Sequence, residues 1–132
     1  MKASTRQWLE LAEADLKSCE NNLQDESLSS IIAFHSQQAV EKAFKALLEE
    51  NGRPVPKVHN LTRLHSLSEP FLQENISLSE LDLLDDVYVS SRYPIDFGIT
   101  PLGKPTLAES KELYEIARKI YIRLYNTIGN YQ

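Results

Sequence analysis

Apolar residues recur every three or four positions along most of the chain, the spacing of α-helices that bury one face. The pattern is densest over residues 34–48. Steps of three and four from Ile32 reach Ser36, Ala39, Ala43 and Ala46, a seam of small side chains flanked by Val40, Phe44 and Leu47. Small residues let a second helix approach closely. His35, Gln38, Lys42 and Lys45 follow one another at offsets of three, seven and ten from His35, so they lie near one line down the remaining surface. That polar line is the first candidate for function.

The same reading extends in both directions. A first helix is predicted over residues 5–23, with Ser4 or Thr5 as its N-cap and Trp8, Leu9, Ala12, Leu16, Cys19 and Leu23 as its stripe. The central helix is predicted to begin near Ser27 and to stop at Asn51-Gly52. Arg53-Pro54-Val55-Pro56-Lys57 reads as a stiff extended connector, because each proline disfavours helix in its predecessor. A third helix is predicted from Asn60, its cap, to Leu72, or only to Ser68 because of Pro70. Ser77 or Ser79 caps a fourth, with Leu78, Leu81, Leu84, Val87 and Tyr88 inward and Asp82, Asp85 and Asp86 outward. Residues 90–105 carry three prolines and two glycines and read as a long loop. The last helix starts at Thr106, with Glu109 completing a capping box, and runs to about Ile128 on a stripe of Leu113, Ile116, Ala117, Ile120, Leu124 and Ile128. No strand-like alternation or repeat interrupts this, so the expected architecture is all-α, a four- to five-helix up-and-down bundle forming a single domain over residues 1–132.

Composition changes this picture little. The 132 residues are 42% hydrophobic and 25% charged, ordinary for a globular protein. No apolar run is long enough to span a membrane and no secretory signal is evident, so a cytoplasmic location is expected. The single Cys19 has no second cysteine for a disulfide or a thiolate metal site. The net charge of −5 is unevenly spread: −3 over residues 1–30, +2 over 31–65, −6 over 66–100 and +2 over 101–132. An acidic whole argues against non-specific nucleic-acid binding, and the basic quarters read first as mixed solvated surface.

The order Phe34-His35-Ser36-Gln37-Gln38-Ala39, followed by Glu41-Lys42-Ala43 and Lys45-Ala46-Leu47, resembles the signature helix of the HEPN domain, a small all-helical module. Gly52 with Pro54, the His59-Asn60-Leu61 entry to the next helix with Leu64 behind, and Arg92-Tyr93-Pro94 extend the resemblance over about residues 5–125. It implies a HEPN-like helical bundle, usually a homodimer, and one of two activities. Many members are metal-independent ribonucleases with an arginine, four to six intervening residues and a histidine. Imidazole would move protons there while guanidinium holds the scissile phosphate. Here Arg92 stands in the expected region, but Tyr93 to Gly98 holds no histidine, so RNA cleavage is the disfavoured alternative.

The other implied activity belongs to the Arg-Tyr-Pro subgroup, which resembles partners of minimal nucleotidyltransferases encoded nearby, in pairs of toxin–antitoxin type. On that reading the chain is a non-catalytic nucleotide-binding partner. Its candidate phosphate and base contacts are His35, Gln38, Lys42, Lys45, Arg53, His59, Arg92 and Tyr93, with no catalytic residue, cofactor or metal. A pure interaction scaffold is the third alternative.

Several residues have plainer readings. Arg53 and His59 are also five residues apart, but they straddle the proline connector, and that spacing reads as coincidence. His35 has a second reading as a helix-surface residue, and His65 is read as structural. Asp82, Asp85 and Asp86 read as a solvated helix face rather than a metal site. Tyr114, Tyr121 and Tyr125 read as core rim or dimer surface. Arg92-Tyr93-Pro94 reads equally as a helix end, with Arg92 paired to a nearby aspartate.

Overall fold

The computed structural model describes the backbone of residues 1–92 and 104–129, and the side chains of residues 1–87 and 104–129. Five helices follow in order: α1 (Ala3–Glu20), α2 (Ser29–Glu50), α3 (Leu61–Ser68), α4 (Leu78–Arg92) and α5 (Leu107–Gly129), with short 3₁₀ turns at Glu26–Leu28 and Glu69–Phe71. The expected all-helical bundle is the architecture found.

α2 is its axis, because α1, α3, α4 and α5 all pack on it. The small-residue seam explains how one helix takes four neighbours. Ile32, Ala39, Val40, Ala43, Phe44, Ala46 and Leu47 are fully buried, and so is Ser36. α1 runs antiparallel to α2: Thr5 Oγ1 donates to Glu50 Oε1 at 2.9 Å, while near the other end Cys19 Sγ donates to the Ile32 carbonyl at 3.3 Å. Burial pushes the Cys19 thiol up to about 11, so it stays protonated as a donor. α5 lies along both, with Ser110 Oγ on the Ser29 carbonyl at 2.7 Å, Tyr114 on Glu20 at 2.6 Å and Tyr121 on Glu13. Burial, reinforced by these glutamates, raises both phenols well above their ordinary range, so both stay donors.

The helix ends show where local rules hold. Asn60 caps α3 through Oδ1 on the Arg63 N–H at 2.8 Å. Gly52, at φ 67°, ends α2 in a Schellman arrangement: its N–H bonds the Glu49 carbonyl at 3.1 Å and the Arg53 N–H bonds the Leu48 carbonyl at 3.0 Å. Thr106 and Glu109 exchange reciprocal bonds of 3.0 and 2.9 Å, a capping box at the start of α5. Thr106→Ala is therefore expected to destabilise the fold by about 1 kcal/mol, the usual cost of losing a cap. Urea melts of the two chains at neutral pH measure it.

Three expectations need correction. Neither Ser4 nor Thr5 caps α1, which starts at Ala3, because their hydroxyls bond Glu49 (2.8 Å) and Glu50 (2.9 Å) across the helix pair. Ser27 does not start α2 either: Asp25 accepts its N–H at 3.0 Å and its hydroxyl at 2.6 Å, and so closes a separate 3₁₀ turn. On α4, Leu81 and Leu84 are buried, but Leu78, the first residue of the helix, is half exposed. Tyr88 lies outside the described side chains.

Candidate functional site

The polar face of α2 is built on two buried carboxylates that the pattern alone did not single out. Asp15, from α1, has a side chain 8% exposed. It accepts from Lys42 Nζ at 2.6 Å and binds His35 Nδ1 at 2.7 Å. One turn further along α2, Glu41 is 5% exposed and meets Lys45 Nζ at 3.0 Å, His59 Nδ1 at 3.0 Å and Gln38 Nε2 at 3.2 Å. Gln38 also donates to Gln37 Oε1 at 2.9 Å, and Gln37 Nε2 donates to the His59 carbonyl at 2.7 Å. A carboxylate on Nδ1 fixes the orientation of each imidazole, as it does in proton-transfer and ligand sites.

The network reaches α4 through Asp85. Gln37 Nε2 donates to Asp85 Oδ1 at 3.2 Å, and the Leu61 N–H that opens α3 donates to both carboxylate oxygens, at 3.1 and 2.9 Å. Asp85 thus faces inward, which corrects its assignment to a solvated face. Asp82 does keep to the outside, where it accepts from Thr62 at 3.0 Å. Burial pushes the Asp85 carboxyl up, more than the bonds from Leu61 and Gln37 pull it down.

The predicted contacts fall into three groups. His35, Gln38, Lys42 and His59 share the rim of this network. Lys45 does not stand on the surface with them: its side chain is 7% exposed, held by Glu41 and 5.7 Å from the centroid of the Trp8 ring. Trp8 of α1 lies over the line there. Arg53 is elsewhere, its guanidinium 5.6 Å over the Phe71 ring in a cavity it shares with Arg63. Arg53 thus meets Phe71, while His59 bonds Glu41. The Arg92 side chain and Tyr93 lie outside the described residues. His65 packs edge-on to Phe44, with ring centroids 6.3 Å apart, in keeping with a structural role.

Sequence reasoning missed Asp15, Gln37, Glu41 and Asp85. A signal existed: Asp15 stands three residues from Ala12 and Gln37 three from Val40, so both sit at stripe spacing where an apolar residue is the rule. Among the described residues no cluster of three or more histidines, cysteines or carboxylates is arranged to hold a metal ion, and no helix is long and apolar enough to cross a membrane.

The site and the bundle define a class: a small helical module with an acid-anchored polar face on its central helix. Residues 5–126 match the model of the HEPN domain, and the chain belongs to that family. Its fold is similar to that of TT1696 from Thermus thermophilus, with a TM-score of 0.74, 26% identity and coverage of 96% of this chain and 99% of that one. ST0689, an archaeal HEPN homologue, superposes with a TM-score of 0.68 at 22% identity, covering 97% and 99% of the two chains. No curated protein matches.

Proposed function

We propose that the chain is a nucleotide-binding partner subunit of a minimal nucleotidyltransferase, of toxin–antitoxin type, acting as a homodimer without nuclease chemistry of its own. The observation that supports it most is the state of Lys42. Its ammonium gives one N–H to Asp15 and, at 22% exposed, keeps donors for an incoming oxygen. Held by a buried carboxylate, the cation is already oriented, so a phosphate need not immobilise a long flexible side chain. Gln38, His35 and His59 supply hydrogen-bonding groups around it. Arg92, at the end of α4, supplies the second cation of the proposed clamp, and Tyr93 a ring for a base.

The ribonuclease alternative is weaker. Residues 93–98 contain no histidine, and His35 and His59 are each bonded to a carboxylate, Asp15 and Glu41. The dimer reading draws support from apolar side chains left in solvent on the paired helices α1 and α5: Leu11 is 50%, Ile122 40% and Tyr125 42% exposed. Exposed apolar side chains of this kind suit a contact between copies.

A thermal melt tests the nucleotide reading. ATP at about a hundredfold excess over its Kd adds about 2.7 kcal/mol to stability and raises Tm by several degrees. Lys42→Ala and Arg92→Ala are each expected to abolish that rise. A full shift in Lys42→Ala would overturn the proposed contact, and RNA cleavage by the purified chain, lost in Arg92→Ala, would revive the nuclease alternative.

A further inference from the structure

The cavity around Arg53 shares no residue with the α2 polar face. It lies where the proline connector folds back on α3, encloses about 400 Å³, and is lined by Arg53, Arg63, Phe71, Pro54, Pro56 and Pro70 together with two leucines. That volume falls within the range of small-molecule sites. Both guanidiniums stand on fixed backbone: Arg53 follows the Schellman turn and gives its N–H to Leu48, and Arg63 gives its own to the Asn60 cap. The prolines lock the wall.

The electrostatics of this cavity are one-sided. No carboxylate lines it, and neither Arg53 nor Arg63 has a carboxylate partner among the described residues. Lys42 and Lys45, by contrast, are each held by a carboxylate. Arg53 lies over the face of Phe71, so a flat cationic surface and a flat aromatic one already meet at the opening. Two planar forks suit a carboxylate or phosphate, and the proline, leucine and phenylalanine walls suit a ring.

We infer that this cavity binds a small aromatic acid: one flat ring system carrying a single phosphate or carboxylate. The ring lies against the proline and leucine walls while the anionic group takes the forks of Arg53 and Arg63. The site does not depend on the nucleotide reading, because it uses neither Lys42 nor Arg92.

Calorimetric titration of the full chain with naphthyl phosphate and with naphthoate tests it, naphthol and inorganic phosphate serving as the two halves of the ligand. At least one of the acids is expected to bind at one site per chain, about tenfold or more tighter than either half, and which of them does so separates phosphate from carboxylate recognition. Arg53→Gln/Arg63→Gln is expected to weaken binding by about tenfold or more, and Arg53→Lys/Arg63→Lys by less, since charge remains but the forks are lost. Both arginines are exposed, so the folded chain tolerates these changes. Lys42→Ala is expected to bind normally. The inference is overturned if neither acid binds, if inorganic phosphate binds as tightly as naphthyl phosphate, or if the double glutamine variant retains full affinity.

Discussion

Glu41→Ala is expected to destabilise the fold by about 3–5 kcal/mol, lowering Tm by on the order of 10–20 °C, because it leaves a buried ammonium without its counter-charge. Glu41 and Lys45 are 5% and 7% exposed and 3.0 Å apart, so water cannot replace the lost carboxylate without opening the α1–α2 contact. Gln38 and His59 lose an acceptor in the same step. Removing both charges is a different experiment. Glu41→Met/Lys45→Met keeps roughly the same volume without an orphaned ion and is expected to recover most of the loss, since a buried pair roughly breaks even against a packed apolar one. Denaturant melts of Glu41→Met, Lys45→Met and the double variant close the cycle. A loss below about 1 kcal/mol in Glu41→Ala would mean that Lys45 reaches solvent easily, and the pair would then count as an ordinary surface bridge.

That pair also marks the limit of what the residue pattern reveals. Helical spacing identified the Ile32–Ala46 seam, the Asn60 cap, the Gly52 stop and the Thr106–Glu109 box, because each depends on residues within a turn or so of one another. Spacing also put His35, Gln38, Lys42 and Lys45 on one line. Whether that line meets water depends on which residues of another helix stand opposite, and spacing along α2 carries nothing about α1. Asp15 and Trp8 decide it, one holding Lys42 near the surface and the other covering Lys45.

Ser4 and Thr5 illustrate the same point, as good caps in isolation drawn off by two glutamates at the far end of α2. The Arg53 cavity was hidden for a related reason. Arg53 and Arg63 stand on opposite sides of the proline connector, and only its turn brings them to one opening. Side chains belonging to one element were legible; those that meet across elements were not.

Asp85→Ala is expected to cost about 2–4 kcal/mol, because the Leu61 N–H loses its acceptor and Gln37 loses one of two, both in places that water reaches poorly. Leu61 is fully buried and opens α3, so the damage should concentrate there and appear as faster amide exchange over Leu61–Ser68. Asp85→Asn separates the bond from the charge. One amide oxygen can still accept from Leu61 and Gln37, as Asp85 Oδ1 does, so the variant is expected to stay within about 1 kcal/mol of the parent at neutral pH.

The two chains should then differ in their response to pH. Burial raises the Asp85 carboxyl above its unfolded value, so its contribution is fully present below the ordinary carboxylate range and is lost as pH rises through the raised one. Asparagine does not titrate. The stability of Asp85→Asn relative to the parent should therefore climb as pH rises from about 4 toward neutrality, as read from urea melts at intervals across that range. A difference that falls with pH would mean that the bonds from Leu61 and Gln37 outweigh burial, and that the ionised carboxylate itself anchors α3.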